Sequence, residues 1–332
     1  FPSHPTLVII SRTLPPLGIA QLRMKGQMTE ITSKHLALDA DEAQRYLEQR
    51  LPFEVSREHI ERAVRRVEGW ISALQLLSAS SHTSVEFSEF VDQLELGNHH
   101  IFEYFDELVG QSLTEQQRRF LLRTCILDRF NAAMVMRVMD DNDGQSLLNS
   151  LLAMGLFIMP ADNGGLWFRY HQLFAVYLRH LLSCTTQENQ RSLHQRATDA
   201  WLELNHAEEA ARHAVAAADP ERIRQVLDEH GRKFFTEGQF SLLQKCLDAL
   251  PQSFISENPT FTLLRAWVAQ GQYKFDEVED WLSAAENHLK ATMSEEQQKA
   301  IQGEFSAIRA QVAMNYGNGN RALALASEAV EQ

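Results

Sequence analysis

The 332-residue sequence lacks the features that define several common classes of protein. No apolar run approaches the roughly 20 residues of a membrane-spanning helix, so no membrane association is expected. Lys and Arg number 31 against 44 Asp and Glu, a net charge of −13, and they are scattered singly or in pairs. Because phosphate neutralisation needs a concentrated basic face, we expect no direct nucleic-acid binding by these residues. The three cysteines lie far apart without a CxxC pair, which is typical of free thiols in a reducing cytoplasm.

Motifs for catalysis and metal binding are also missing. The dipeptide Gly-Lys does not occur, so the chain contains no phosphate-cradling G-x-x-x-x-G-K-[ST] loop. His99 and His100 cannot both face one side of a helix, and His206 and His213 have no acidic or cysteine partner at ligand spacing, so no metal site is predicted. No pairing of a nucleophile with a base is recognisable. We therefore predict no catalytic residues and no tight retention of a nucleotide by this chain alone.

The front of the chain has the pattern of β-strands. The run TLVII at 6–10 is continuous and β-branched, as in a parallel strand buried on both faces, and a second short strand is predicted near 28–31. The chain begins at Phe1 rather than Met, and we expect its first strand to belong to a sheet that starts further upstream. Arg12 follows the strand end, where α/β folds bind ligands, although an ordinary surface arginine is the simpler interpretation of this residue alone.

Beyond the first strands the pattern is almost entirely helical. Asp39 with Glu42 three residues later predicts a capping box at a helix N-terminus. Gly69 is expected to bend or divide the helical pattern that runs through residues 56–80, leaving Trp70 at the start of its second half. A tryptophan in that position is more often a core residue than a ligand contact.

A winged-helix module is predicted next. A Thr114–Gln117 capping box opens the first of three helical patterns, and a hairpin with the turn ADNGG follows the third, residues 144–155. That third pattern contains no Lys or Arg, whereas a DNA-reading helix needs such donors, so we expect the module to pack against protein. His171, where the hairpin gives way to a further helix, is either a core histidine held by one hydrogen bond or a ligand contact.

The last third of the chain shows an internal repeat. RAWVAQG at 265–271 and RAQVAMNYG at 309–317 are 44 residues apart, and each precedes a second Ala- and Glu-rich helical segment. Helical hairpins repeated at this period stack into a solenoid. The chain ends within that pattern, so we expect further repeats beyond it.

Four stretches of the sequence, in order, resemble one family: the MalT-type large ATP-binding regulators of the LuxR class, which are signal-transduction NTPases. They are LVIISRTLPPLGIAQLRMKGQMTEI, LALDADEAQRYL with VEGWISALQLL, LLAMGLFIMPADNGGLWFRYHQLFAVYLRHLL, and the repeat region. The resemblance covers nearly the whole chain. The phosphate-binding loop, the acidic Mg²⁺ strand, most of the sensor solenoid and the C-terminal helix-turn-helix of the family have no counterpart, as expected of a central fragment.

The resemblance implies a mainly α fold made of successive parts. These are the end of an α/β NTPase sheet (1–37), a helical lid domain (38–110), a winged-helix domain (111–182), a helical arm (183–255) and the start of a TPR-like superhelical sensor domain (256–332).

The resemblance also implies roles for four residues. Arg12 matches the sensor arginine that reaches the nucleotide phosphates. His171 matches the winged-helix histidine that contacts the bound diphosphate. Gly69 and Trp70 match the lid segment near the adenine. The implied cofactor is ATP or ADP, bound by the full-length protein.

The function that this family implies is regulation of transcription in the cytoplasm. Full-length members act as slow ATPase switches, and this chain, which has no phosphate-binding loop, is not expected to be an enzyme. Self-association would depend on ATP and on a small-molecule inducer bound to the superhelical domain, and DNA would be bound only through a C-terminal domain absent here. The alternative is a helical-repeat interaction scaffold whose front end is a degenerate remnant without nucleotide. An ATP-dependent enzyme is disfavoured because no substrate-side chemistry is visible.

Overall fold

The structure is a computed structural model that describes residues 7–11, 15, 17–94, 99–140, 143–184, 187–256, 258–289 and 294–331. Proximity of Cα atoms divides the chain into two compact units, Phe1–Gln190 and Arg191–Gln332. Regular structure in the described residues is helical apart from one two-stranded sheet, which confirms the prediction of a mainly α fold. None of the described helices is both long and apolar enough to cross a bilayer.

The first unit contains eleven helices and two strands within its described residues. In chain order they are α1 (Ile19–Met24), α2 (Ser33–Leu36), α3 (Ala40–Glu48), α4 (Arg57–Val67), α5 (Ile71–Ser80), α6 (Ser84–Gln93), α7 (His99–Ser112), α8 (Glu115–Thr124), α9 (Ala132–Met139), α10 (Gly144–Ala153), β1 (Ile158–Pro160), β2 (Phe168–Tyr170) and α11 (Gln172–Ser183).

The two strands predicted at the front of the chain are wrong for the residues that the structure describes. Residues 7–11 have no strand structure, and Leu7 and Ile10 are 81% and 96% exposed. Residues 28–31 are irregular as well. A strand needs a partner to satisfy its backbone groups and cover its side chains, and the described residues supply none there. The described part of 1–37 instead contains the short helices α1 and α2.

The predicted helix boundaries in the middle of the unit are confirmed. At the start of α3, the Asp39 carboxylate accepts from the backbone N–H of Glu42 at 2.8 Å, and the Glu42 carboxylate accepts from the N–H of Asp39 at 3.1 Å. Thr114 and Gln117 form the same reciprocal pair at α8, with distances of 2.9 and 3.3 Å. Gly69 separates α4 from α5, as its position in the helical pattern predicts.

The winged helix is also present as predicted. Helices α8, α9 and α10 precede the antiparallel pair β1 and β2, in which Ile158 lies opposite Tyr170 and Pro160 opposite Phe168. The Tyr170 hydroxyl is buried, and it lies 2.6 Å from the Thr124 hydroxyl at the end of α8. This hydrogen bond joins the wing to the first helix of the module, and α11 leaves directly from the end of β2.

The second unit consists of helices within its described residues, and the boundary between the units falls inside the first of them. They are α12 (Gln187–Glu203), α13 (Ala207–Ala216), α14 (Pro220–Thr236), α15 (Phe240–Asp248), α16 (Gln252–Ser256), α17 (Pro259–Gly271), α18 (Phe275–Leu289), α19 (Glu295–Asn315) and α20 (Gly319–Glu331).

The repeat predicted from the sequence corresponds to two consecutive helical hairpins. The first copy of the motif forms the end of α17, and the second spans the end of α19 and the two residues after it. Helix α17 packs closely against α18, and α19 against α20. Side chains of α17, α18 and α19 share one core, which includes Leu282, Phe305 and Ile308, each at most 1% exposed. The hairpins therefore bury apolar side chains against each other, as stacked repeats do.

Candidate functional site

The turn between α4 and α5 has a backbone that only a few residue types tolerate. Glu68 ends α4 with φ 50°, and Gly69 follows with φ 69°, both in the left-handed region. The Gly69 carbonyl accepts from the backbone N–H of Leu38 at 2.9 Å. A Cβ on Gly69 would lie 2.6 Å from the Leu38 carbonyl oxygen, so the segment leading into α3 crosses this glycine in direct contact. Gly69 therefore has a packing role in addition to any contact with a ligand.

Trp70 follows that glycine and lies at the centre of a group of aromatic rings. Its ring centroid is 5.1 Å from that of Phe157, 5.9 Å from that of Phe105 and 5.7 Å from that of His171. Phe105, on α7, is fully buried and also contacts Phe174 on α11 at 5.1 Å. Edge and offset contacts of this kind stabilise a core beyond the area that they bury. The rings join the start of α5 to the winged helix, and Trp70 takes part in this contact while remaining partly exposed.

His171 connects the wing to α11, where it is the N-cap residue and is only 5% exposed. Its backbone N–H donates to the Phe157 carbonyl at 2.8 Å, and its Nδ1 accepts from the backbone N–H of Leu173 at 3.3 Å. An Nδ1 that accepts a hydrogen bond places the proton of the neutral ring on Nε2. Nε2 is buried and has no hydrogen-bond partner among the described residues. The ring thus has one engaged nitrogen and one buried donor, Nε2–H, which makes no well-formed hydrogen bond although the Val67 carbonyl acts on the ring.

Burial keeps this ring neutral. It lowers the pKa of the His171 imidazole, and although the Glu68 carboxylate and the backbone carbonyl of Val67 act in the opposite direction, they do not cancel that effect. Arg169 lowers the pKa further through its positive charge. A neutral ring offers a single N–H, at Nε2, to an acceptor.

A carboxylate from the α4–α5 turn reaches across to the same junction. Glu68 accepts from two guanidinium nitrogens of Arg169 at 2.9 and 2.8 Å, and from the backbone N–H of Gln172 at 2.9 Å. Burial works to raise the pKa of the Glu68 carboxyl, but the hydrogen bonds from Arg169 and Gln172 outweigh burial, and the pKa is lowered. Glu68 is therefore an anion, fully engaged, at the N-terminus of α11.

Three of the four residues predicted for nucleotide binding come together in the structure. Gly69, Trp70 and His171 lie at one junction of the α4–α5 turn with the winged helix. Arg12 lies outside the described residues. No group of three or more His, Cys, Asp or Glu side chains arranged to hold a metal occurs in the part of the chain that the structure describes.

Glu68 and Arg169 were not predicted as site residues from the sequence. Both residues lie inside stretches that carry the family resemblance, VEGW and FRYH, but 101 positions separate them. No periodicity or spacing rule links residues so far apart. The available signal was a pair of opposite charges close to two of the predicted site residues, since Glu68 is next to Gly69 and Arg169 is two positions before His171.

Taken together, the fold and this junction define a winged-helix protein in which the wing domain is joined to a preceding helical domain and followed by helical hairpins. Residues 105–191 match the family model of the MalT winged helix domain, which agrees with the resemblance inferred from the sequence.

Longer proteins resemble nearly the whole chain. It is 36% identical over 332 residues to the HTH-type transcriptional regulator MalT of Serratia proteamaculans (strain 568), a match that covers 99% of this chain and 37% of that protein. The protein of the same name from Yersinia enterocolitica serotype O:8 / biotype 1B is 36% identical over 335 residues, with the same coverage of 99% and 37%. The chain thus spans about 37% of the length of these relatives.

Proposed function

We propose that this chain is the central regulatory portion of an ATP-dependent, inducer-responsive transcription activator of the LuxR type. The names of both relatives, HTH-type transcriptional regulators, support a role in transcription regulation. In this proposal the nucleotide state controls self-association and DNA binding in the cytoplasm. DNA is contacted by a C-terminal domain outside this chain, and a small-molecule inducer binds the superhelical part.

The observation that carries the nucleotide role is the buried Nε2 of His171, which makes no well-formed hydrogen bond with the described residues. A buried donor without a partner costs about 1–3 kcal/mol, a cost that an acceptor on a ligand removes. A bound ADP supplies anionic phosphate oxygens, and His171 would hold one of them through Nε2–H. Gly69 and Trp70 remain the proposed neighbours of the adenine, and Arg12 remains the proposed second phosphate contact.

Such a contact provides the basis for a switch. A ligand shifts a conformational equilibrium only through interactions that differ between the two states. In the proposal, His171 reaches the nucleotide only while the winged helix and the nucleotide-binding domain are closed on each other. The bound diphosphate then favours a closed resting form over an open form that self-associates.

The test is made in the full-length protein that contains this chain. His171→Ala removes one hydrogen bond to a charged group, worth about 1.5–3 kcal/mol, so ADP affinity should fall by a factor of about 10 to 100. Inducer-independent oligomerisation should rise in parallel. ADP dissociation and thermal unfolding are measured on the same preparation. Tyr170→Phe is the matched control, because that hydroxyl bonds to Thr124 inside the module and should affect stability with much less effect on ADP.

Two results would contradict the proposal in different ways. If His171→Ala lowers the melting temperature equally with and without ADP while ADP affinity is unchanged, His171 is a core histidine. If the full-length wild-type protein binds no ADP at all, the helical-repeat scaffold replaces the nucleotide switch as the function.

A further inference from the structure

Glu68 holds the chain on both sides of His171. Arg169, two residues before the histidine, donates two hydrogen bonds to the Glu68 carboxylate, and Gln172, the next residue, donates its backbone N–H. The Glu68 carboxylate therefore binds both the Arg169 side chain on β2 and the first residue of α11, although Glu68 itself lies in the α4–α5 turn. Nδ1 of the histidine is engaged by the N–H of Leu173. The other ring nitrogen of His171, Nε2, makes no well-formed hydrogen bond with the described residues.

The position of Glu68 is itself fixed by the backbone of the α4–α5 turn. Glu68 and Gly69 adopt consecutive left-handed conformations, and the Gly69 carbonyl is fixed by the N–H of Leu38 at 2.9 Å. The Glu68 side chain is 20% exposed and that of Arg169 is 40% exposed, so the pair is partly shielded from water. Its two parallel N–H···O bonds also set the angle between the groups, which a single contact would not do.

We propose that Glu68 is a positioning residue for His171, presenting the Nε2–H of the winged helix to an anionic ligand only while the α4–α5 turn is docked on the β2–α11 junction. This inference rests on the proposed nucleotide role of His171. It adds that the contact between His171 and the ligand depends on the α4–α5 turn as well as on the histidine. Undocking the turn releases the histidine as well as the ion pair, so the geometry of the lid and the affinity for the ligand change together.

A purely structural ion pair would produce a different pattern. A partly buried pair contributes little net stability, because desolvation offsets much of the attraction. If Glu68 only stabilises the fold, replacing it lowers the free energy of unfolding by the same amount whether or not the His171 imidazole is present. If it positions His171, its loss weakens ligand binding only while the imidazole is present.

The experiment is a double-mutant cycle in the full-length protein, with ADP as the probe. We expect Glu68→Gln to weaken ADP binding about tenfold, which corresponds to about 1.4 kcal/mol. The same substitution in a His171→Ala background should have no further effect on ADP binding. Glu61→Gln is the matched control, since Glu61 lies on α4 and pairs with Arg57 in an exposed bridge. That variant should leave ADP affinity unchanged.

A second variant and a second readout keep the test decisive if Glu68→Gln folds poorly. Arg169→Lys keeps the positive charge but loses the paired donors, and it should weaken ADP binding in the same direction. In the nucleotide-free protein, the ring resonances of His171 should shift or broaden in Glu68→Gln, since the imidazole then samples more than one orientation. They should stay unchanged in Glu61→Gln.

The possible outcomes separate the two proposals. If His171→Ala does not affect ADP binding, the proposed function fails, and the positioning role fails with it. If His171→Ala weakens ADP binding but Glu68→Gln does not, the positioning role alone is overturned. The same conclusion follows if Glu68→Gln weakens ADP equally with and without the imidazole, or if the His171 ring resonances do not respond to Glu68→Gln.

Discussion

Replacing Gly69 with alanine places a methyl group against the backbone of the preceding segment. The new Cβ would lie 2.6 Å from the carbonyl oxygen and 2.8 Å from the nitrogen of Leu38, and neither backbone atom can rotate out of the way as a side chain would. The residue also has φ 69°, a left-handed conformation that costs a non-glycine residue about 1–2 kcal/mol. Overpacking adds about 1–3 kcal/mol, so the sum is about 2–5 kcal/mol.

Gly165 in the turn of the wing offers a matched control within the same unit. Its φ is 65°, nearly the same as that of Gly69, but a Cβ there meets nothing within 4 Å. Gly165→Ala therefore carries the conformational cost alone, about 1–2 kcal/mol. Urea unfolding of the two variants, followed by far-UV circular dichroism, should show Gly69→Ala to be less stable than Gly165→Ala by about 1–3 kcal/mol. Equal losses would show that contact with Leu38 does not govern this position.

Acidification should destabilise the first unit, because the pKa of folded His171 is lowered and the unfolded chain takes up a proton that the native state does not. This loss sets in as the pH falls through the ordinary histidine pKa of about 6.5, so His171→Gln should flatten the decline in urea stability between about pH 7 and about pH 5. An unchanged pH dependence in that variant would contradict the argument. In the second unit, Asp219→Ala removes the N-cap of α14 and a carboxylate 2.9 Å from Arg222, and should cost about 2–3 kcal/mol in urea unfolding. The exposed Glu221→Ala in the same turn should cost less than about 0.5 kcal/mol, and similar costs for the two variants would contradict the capping argument.

Features that depend on a few neighbouring residues could be predicted from the sequence. The capping boxes at Asp39 and Thr114 involve residues three positions apart, and the division of a helix at Gly69 follows from the properties of glycine. The strand expected at 6–10 shows the limit of this approach. Its β-branched composition is local, whereas a strand exists only if another part of the chain pairs with it, and the described residues 7–11 have no such partner.

The candidate site was only partly predictable for the same reason. The grouping of Trp70 with His171 followed from family resemblance, since about a hundred residues separate them and no pattern in the chain connects them. The bond between Glu68 and Arg169 is a product of tertiary packing, and it could not be inferred from either residue alone. Whether Nε2 of His171 forms a well-made hydrogen bond depends on all the groups around it, and only a structure shows them together.

The pairing of β1 with β2 constrains which changes in chain length evolution can tolerate here. The backbone N–H of Ala161 donates to the Trp167 carbonyl at 2.7 Å, so an insertion among residues 162–166 lengthens the turn without altering the paired backbone. An insertion within β2 would instead exchange the two faces of the strand. Arg169 would then point toward the interior beside Thr124, and Tyr170 would point outward. Among natural relatives, length differences should therefore be found in the turn and be absent from the three residues that precede His171.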